Sequence, residues 1–396
     1  ARELREQITA HLDDALGPGA SDHEVAATLA RLGSAAGLAA EAGAPGGSSG
    51  PRPAPARRRV RWRLAAVIAV LVAVAVALGA LQISSVASRY AAAGRDQHLA
   101  RLGAAVVTLT QDLEDERDLS AAYTARPGTG PVPLTVVRAR RATDAAAATV
   151  RAQASGIGPG YQPATIRALG DLLTSLTDLK FPRRDVSAPA EAAAQIIRIY
   201  TDSAISSANA FSATTGGGTG DATLQGAVTT LAALLRVEND QSVQRAILYA
   251  ALSAQPPVLA PWVLSSLQQV HGQANADLAD FNAAADTTEQ KFYSSTVSGR
   301  LVDVAAASEI LAEQQAADHS PAPVTGTDAA TWYRDMSITV GDTRKVTGQL
   351  TSQISGRANT LKSDAAKNLL LISIATGILL FLLLISALLA RPRQEA

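Results

Sequence analysis

The chain has 396 residues, among them 35 basic and 35 acidic side chains, no cysteine and 4% aromatic residues. The absence of cysteine excludes disulfides, thiol catalysis and cysteine-ligated zinc. Because the charges balance, no field over the whole chain attracts a polyanion, and nucleic acid is not an expected partner. Abundant Ala and Leu with few aromatic residues favour close-packed helices over a sheet.

Residues 1–41 are predicted to form a small helical unit. The first helix is indicated by apolar residues spaced four apart: Leu4, Ile8, Leu12 and Leu16. Ser21 followed by Glu24 is the signature of a capping box and predicts the start of a second helix. The HLDDAL segment, the Ser-capped helix and the LG turn after it resemble part of a HAAS signalling domain. A linker rich in Gly, Pro, Ser and Arg follows at residues 42–62.

Two apolar segments, Leu64–Ile83 and Leu369–Ala390, each contain about twenty residues without a charge, enough to cross a hydrocarbon layer about 30 Å thick. A buried core helix is the alternative explanation. Two such uncharged segments on either side of a polar region are rare in a soluble protein, however. We therefore predict transmembrane helices at residues 63–84 and 369–390.

Basic residues indicate the orientation of the first span. A group of arginines precedes it: Arg52, Arg57, Arg58, Arg59, Arg61 and Arg63. Positively charged flanks stay in the cytoplasm, so the N-terminus is expected inside and, after two spans, so is the tail at residues 391–396. Residues 85–368 are then the extracellular domain of a multi-pass plasma-membrane protein whose spans contact lipid.

The central region, residues 85–368, contains helical patterns interrupted by breaks rich in Gly and Pro, and strand-like alternation is scarce. We therefore predict an all-α fold with an up-down helical bundle. The strongest breaks lie at residues 128–131, 156–160, 181–184, 214–220 and 319–328. No Pro lies between Ala329 and Ala390, so one continuous helix is expected to run from the domain into the second span. The segment from Arg61 through Gln97 is expected to extend the first span in the same way.

No motif indicates a catalytic, cofactor or metal site. The histidines are scattered and show no metal-ligand spacing: His11, His23, His98, His271 and His319. The segment TTGGGTG lacks the lysine of a phosphate-binding loop, and a flexible loop is the better interpretation. No enzyme module is recognised, so a histidine kinase output domain is either missing from this sequence or carried by a partner.

Two apolar helical stripes each contain one arginine. The first consists of Leu102, Val106, Leu109, Leu113, Arg117, Ser120 and Thr124. The second consists of Leu231, Leu234, Glu238, Ser242, Arg245, Leu248 and Leu252. An arginine inside a bundle must be paired or hydrated, and two guanidinium groups could hold one small planar anion. The alternative is a structural ion pair, of Arg117 with Glu114 and of Arg245 with Glu238.

The segment LEDERDLSAAY, which contains Arg117, resembles the first helix of the nitrate- and nitrite-sensing (NIT) domain family of actinobacterial sensor histidine kinases. The segment VENDQSVQRAILYAAL, which contains Arg245, resembles a later helix of that family. The resemblance implies two stacked four-helix bundles between two membrane spans, with Arg117 and Arg245 as the ligand-binding residues. Two positions depart from the family pattern. Asp118 stands where Gly is usual and adds negative charge beside the expected anion site, and Gln244 replaces a Glu.

The combined interpretation is a membrane-bound sensor of a two-component system, which binds a small anion and transmits a conformational signal through its transmembrane helices. Two alternatives stay open: a sensor of the same fold with a different ligand, and a membrane adaptor or scaffold. The expected partners are nitrate or nitrite, a second copy of the chain in a homodimer, and a cytoplasmic signalling protein.

Overall fold

The computed structural model of the protein describes residues 56–126, 130–183, 190–216, 220–318, 322–323 and 326–389. The HAAS-like helices predicted in residues 1–41, the linker up to residue 55 and the tail at residues 391–396 lie outside these ranges. All packing discussed below lies within the compact unit Ala69–Ala396.

The described part of the chain is almost entirely helical, which confirms the all-α prediction. Its α-helices are α1 (Ala56–Thr124), α2 (Leu134–Ala154), α3 (Pro163–Asp178), α4 (Ala190–Ile199), α5 (Ser206–Thr214), α6 (Ala222–Ser253), α7 (Pro261–Ala284), α8 (Thr287–Thr296), α9 (Arg300–Asp318) and α10 (Ala329–Leu389). A π-helical turn, Tyr200–Ile205, joins α4 to α5. Two short strands, β1 (Val258–Leu259) and β2 (Ala322–Pro323), pair antiparallel.

The first and last helices are much longer than the others. Helix α1 has 69 residues and α10 has 61, so at 1.5 Å per residue they extend roughly 100 and 90 Å. Neither contains an internal proline that would remove a backbone hydrogen bond. The predicted continuity from Arg61 through Gln97, and from Ala329 into the second apolar segment, is therefore confirmed.

Both long helices contain a segment that is long and apolar enough to cross a membrane. In the most apolar window of α1 6% of the residues are buried, and in that of α10 none is. Large side chains such as Leu78 and Leu81 of α1, and Leu371 and Phe381 of α10, are more than half exposed. Apolar surface of this kind without protein cover suits a lipid environment.

The two long helices contact each other along their length. Gln97 of α1 donates to Asn359 of α10 at 2.6 Å, and Lys362 donates to Gln97 at 2.7 Å. Within the apolar segments, a Cβ atom at Gly79 would lie 2.8 Å from Cγ2 of Thr376. Glycine therefore permits a close approach of the two helices at this point.

The buried apolar side chains form two clusters. The larger combines α1 with α2, α3, the segment from α4 to α5, the second half of α6, α9 and the start of α7 and α10. The smaller combines α1 with the first half of α6, the end of α7 and the middle of α10. Helices α1, α6, α7 and α10 take part in both clusters. Of these, α1, α6 and α10 also carry the polar residues at the centre of the domain.

The predicted breaks fall between helices, since α1 ends at Thr124, α2 at Ala154, α3 at Asp178 and α5 at Thr214. The shorter breaks that end α6, α7 and α8 were not predicted. The breaks after α7 and after α8 are too brief to contain a stretch rich in Gly and Pro. The break between α7 and α8 is set instead by a capping box in which Asp286 and Glu289 satisfy each other's backbone.

The approach at Gly79 gives a testable consequence. Gly79→Leu should force α1 away from Thr376 and lengthen the distance between spin labels on cysteines introduced at Leu81 and Ile378, measured by pulsed electron paramagnetic resonance in nanodiscs. Gly377→Leu is the matched control, because no atom lies within 4 Å of its Cβ position. An unchanged label distance in Gly79→Leu would contradict the close contact.

Candidate functional site

The predicted stripe of α1 carries Arg117 into the interior, where its side chain is completely buried. Its Nε donates to Asp118 Oδ1 at 3.0 Å and its Nη2 to Ser242 Oγ at 2.8 Å. Its Nη1 donates to Thr201 Oγ1 at 3.0 Å and to Asn239 Oδ1 at 3.3 Å. The guanidinium group therefore has partners on α1, on α6 and on the π-helical turn.

The stripe of α6 places Arg245 beside the same residues, with its side chain 2% exposed. Nε donates to Asp118 Oδ2 at 2.6 Å and Nη2 to Asp115 Oδ1 at 2.8 Å. Nη1 donates to Ser337 Oγ at 3.1 Å, and the guanidinium carbon lies 5.1 Å from the ring centre of Tyr333. Burial lowers the pKa of Arg245, but Asp118, Tyr333 and Asp115 raise it more, and the balance lies above the ordinary value.

Asp118 lies between the two predicted site residues and is itself fully buried. One carboxylate oxygen accepts from Arg117 and the other from Arg245. Ser242 completes the bridge, since its hydroxyl oxygen also accepts from Arg245 at 3.4 Å. The structure thus brings Arg117 and Arg245 together around one carboxylate. Both arginines are therefore in ion pairs, as the structural alternative expects, but their partners are Asp118 and Asp115 and not Glu114 and Glu238.

A third arginine, Arg344 of α10, binds the two glutamates instead. It donates to Glu114 at 2.9 Å, to Glu238 at 2.9 Å and to Asp115 at 3.1 Å. Arg344 was not predicted as a site residue. It follows the buried Val340 by four residues, so it lies in an apolar stripe of its helix, as the other two arginines do.

Glu114 and Glu238 share this one arginine, and both are completely enclosed. Burial, and then repulsion from Glu238, raise the pKa of Glu114 well above its usual range despite Arg344. Burial likewise raises the pKa of Glu238. Oε1 of Glu114 has no hydrogen-bond partner. We infer that this pair retains one proton at pH values at which free glutamates are ionised.

The charges of this centre then balance. The cations are Arg117, Arg245 and Arg344; the anions are Asp115, Asp118 and the singly ionised pair of Glu114 and Glu238. Such neutrality is the condition for burying several charges in a helical core. An additional anion can therefore enter only if it displaces a carboxylate or brings a proton with it.

A second network of polar residues surrounds Glu116, the neighbour of Arg117 on α1. Glu116 accepts from Arg183 at 2.7 and 2.8 Å and from the hydroxyl of Tyr200 at 2.6 Å. Burial, and then the charge of Glu116, raise the pKa of Tyr200. Tyr200 and Thr201 are neighbours in the π-helical turn, so this irregular turn contacts both networks.

A cavity of about 790 Å³ lies beside two of the residues that bind Arg117. It is lined by Thr201 and Asn239, which both accept from Arg117, and by charged residues of both signs, Arg198, Asp202 and Asp240. The cavity therefore reaches two of the acceptors of the guanidinium group.

The described chain is thus an all-helical domain flanked by two helices apolar enough to cross a membrane, with two buried arginines that share one carboxylate. The sequence model of the family described as nitrate and nitrite sensing matches residues 108–355. Because the match covers more than half of the chain, the protein belongs to the NIT family of nitrate- and nitrite-sensing domains. Both Arg117 and Arg245 lie within the matched residues.

A solved structure with a similar fold is that of the NasR transcription antiterminator, with a TM-score of 0.58 over 75% of this chain and 83% of that chain. The two sequences are 14% identical, so the likeness concerns the fold alone. No protein with a curated function is significantly similar to this chain.

The raised pKa of Glu114 predicts that the stability of the protein depends on pH. The ordinary pKa of a glutamate is 4.5, and that of Glu114 lies above it. The stabilisation that comes from the protonated side chain is therefore complete below pH 4.5 and is lost as the pH rises towards the raised pKa. Glu114→Gln should therefore lose less stability than the wild type between pH 5 and 8, by about 1.4 kcal/mol per unit of raised pKa.

Chemical denaturation of the full chain at several pH values measures this difference. Asp171→Asn, at an exposed position of α3, is the control and should follow the wild type. If the free energy of unfolding changed with pH in the same way in the wild type and in Glu114→Gln, the raised pKa of Glu114 would be contradicted.

Proposed function

We propose that the protein is a membrane-bound receptor that binds nitrate or nitrite between Arg117 and Arg245. In this proposal, residues 85–368 are the extracellular sensor domain, residues 63–84 and 369–390 are its membrane spans, and both termini are cytoplasmic. A homodimer and a cytoplasmic signalling partner, as in two-component systems, complete the proposed assembly. Membership of the NIT family supports the ligand class.

One observation carries the proposal: two guanidinium groups converge on one planar carboxylate. Nitrate and nitrite are also planar, monovalent oxyanions that accept hydrogen bonds through oxygens on a single central atom. Forked donors on two sides match this geometry better than a point charge would. Asp118 therefore marks a position whose donors fit such an anion.

Asp118 is then the internal competitor of the ligand. An incoming anion takes over donors from Arg117 and Arg245, and Asp118 must turn to other partners. The neighbouring Glu114 and Glu238 pair can also take up a second proton when the total charge becomes more negative. Competition of this kind raises the ligand concentration at which the receptor responds.

The cavity lined by Thr201 and Asn239 supports a route of entry. Both side chains bind the guanidinium group of Arg117, so their rotation would free donors of Arg117 beside the cavity. Helix α10 supports a route for the signal, because Ser337 and Arg344 bind the network and the same helix continues into the apolar segment. Rearrangement at the arginines would thus act directly on a membrane-spanning helix.

A second candidate is favoured by the same carboxylate. If Asp118 holds the arginines permanently, the domain is a sensor of the same fold whose nitrate site is closed and whose ligand is different. The short contact of 2.6 Å between Asp118 and Arg245 supports this reading. The two candidates differ in whether free anion can displace Asp118.

Thermal unfolding of the full chain in nanodiscs tests the proposal. Nitrate or nitrite should raise the melting temperature relative to the same concentration of chloride, because a ligand of the folded state adds about 2.7 kcal/mol at a concentration of 100 times Kd. Asp118→Gly should strengthen binding at least tenfold, since losing one charge-assisted hydrogen bond to the competitor is worth about 1.5–3 kcal/mol.

Arg245→Gln in the Asp118→Gly background should abolish the shift. Arg236→Gln is the matched control, because Arg236 lies on the same helix but binds Asp277 and Asp280 instead. A shift seen only after Asp118→Gly would favour the closed site of the second candidate. No shift in either protein would sink the anion site and leave the arginines as structural ion pairs.

The proposed topology has its own test. In this cysteine-free chain, Thr223→Cys at an exposed position near the start of α6 should react on intact cells with a membrane-impermeant maleimide. Ser48→Cys, before the first span, should react only after the cells are permeabilised. The opposite labelling pattern would overturn the assignment of residues 85–368 to the outside.

A further inference from the structure

A separate polar cluster lies between α7 and α9. His271 of α7 faces Glu309 and Glu313, which follow each other by one turn of α9 and so share a face of that helix. One potential ligand atom from each residue lies within 4.8 Å of the other two. None of these side chains takes part in the arginine network.

Glu309 is the buried member of the cluster. It is 5% exposed, its Oε1 has no hydrogen-bond partner, and that atom lies 3.9 Å from Nδ1 of His271. Oε1 of Glu313 is likewise enclosed without a hydrogen-bond partner. The two carboxylates lie on one face of the helix, and an oxygen of each lies near an imidazole nitrogen. Within the described part of the chain neither forms an ion pair with an arginine or a lysine. The cluster therefore lacks a positive charge between the two carboxylates.

Either a proton or a cation must fill this deficit. Burial, and then the charge of Glu313, raise the pKa of Glu309 to about 8. A shared proton would leave one oxygen of each carboxyl without a donor, whereas a divalent ion would use those oxygens and the imidazole together. The exposed edge of His271, which is 46% accessible, gives an ion a path from solvent.

We propose that His271, Glu309 and Glu313 bind a divalent transition-metal ion, with Zn²⁺ as the best match. One imidazole nitrogen and two carboxylate oxygens are ligands that Zn²⁺ accepts in a tetrahedral site, and they leave a fourth position for water. Mg²⁺ and Ca²⁺ prefer ligand sets made only of oxygen. The ion would join α7 to α9.

A small cavity provides room for the fourth ligand. It has a volume of about 180 Å³ and is lined by His271 and Glu309 together with polar residues such as Asn275 and Thr339. The hydroxyl of Thr339 has no hydrogen-bond partner although it is buried, so a metal-bound water in the cavity would have an acceptor or donor there. Thr339 belongs to α10, two residues after Ser337 of the arginine network. The metal site would thus also adjoin the helix that enters the apolar segment.

Metal titration tests the proposal on the full chain in nanodiscs, purified without a histidine tag and stripped with a chelator. Isothermal titration should detect a Zn²⁺ site that Mg²⁺ does not fill, and Zn²⁺ should raise the melting temperature. Glu309→Gln keeps the shape of the side chain and removes one ligand charge. It should weaken the site by more than the roughly 10–100-fold that loss of an outer ligand partner costs.

Two further variants sharpen the test. Asp303→Asn removes a carboxylate from an exposed position of the same helix and should leave Zn²⁺ binding unchanged. His271→Gln should abolish the intense visible absorption that Co²⁺ shows in a four-coordinate site. If Glu309→Gln stabilises the metal-free protein but Zn²⁺ binds both proteins equally or neither, the carboxyl pair shares a proton and the metal site is refuted.

Discussion

The charge of three arginines, two of them buried and the third one-fifth exposed, is the constraint on which the centre of this domain depends. A guanidinium group does not lose its proton in a protein, so Arg117, Arg245 and Arg344 remain cations inside a helical core. Each must therefore find carboxylates and hydrogen-bond acceptors of matching geometry. Because the three lie on α1, α6 and α10, and their carboxylate partners on α1 and α6, satisfying the charges also fixes these helices against one another. Arg117 pairs with one carboxylate, Asp118, whereas Arg245 pairs with two and Arg344 with three.

The proposed anion site lies in a centre whose charges already balance. An apolar core offers an oxyanion no favourable interaction, and an unpaired arginine core would be unstable without an anion. Here the donors that would bind a ligand are occupied by Asp118, so a ligand and this carboxylate would compete for Arg117 and Arg245. Substitution of Asp118 by the Gly usual in the family would remove that competitor.

The spacing of apolar residues predicted much of the fold and two residues of the candidate site. Spacing along a single helix predicted the two apolar stripes, the continuous first and last helices, and the burial of Arg117 and Arg245. Asp118 was expected beside the site, but its position as the shared partner of both arginines was not. Arg344 reaches Glu114 and Glu238 from a helix far along the chain, and His271 meets Glu309 through the packing of α7 against α9. Spacing rules test neighbours within one helix, so these pairings between helices were not predicted.

Helix α10 connects the charge centre to the apolar segment without an interruption that could absorb movement. Ser337 and Arg344 bind the network, and further along the same helix Asn359 and Lys362 bind Gln97 of α1. Helix α1 carries Asp118 and also continues into an apolar segment. In the proposed function, a ligand that takes Arg245 from Asp118 would change an interaction between α1 and α6, while Arg344 would still hold α10 to both helices. Since a stiff helix does not absorb such a change locally, α1 would shift or rotate as a unit. The polar contacts at Gln97 lie where that motion would pass from the domain towards the apolar segments.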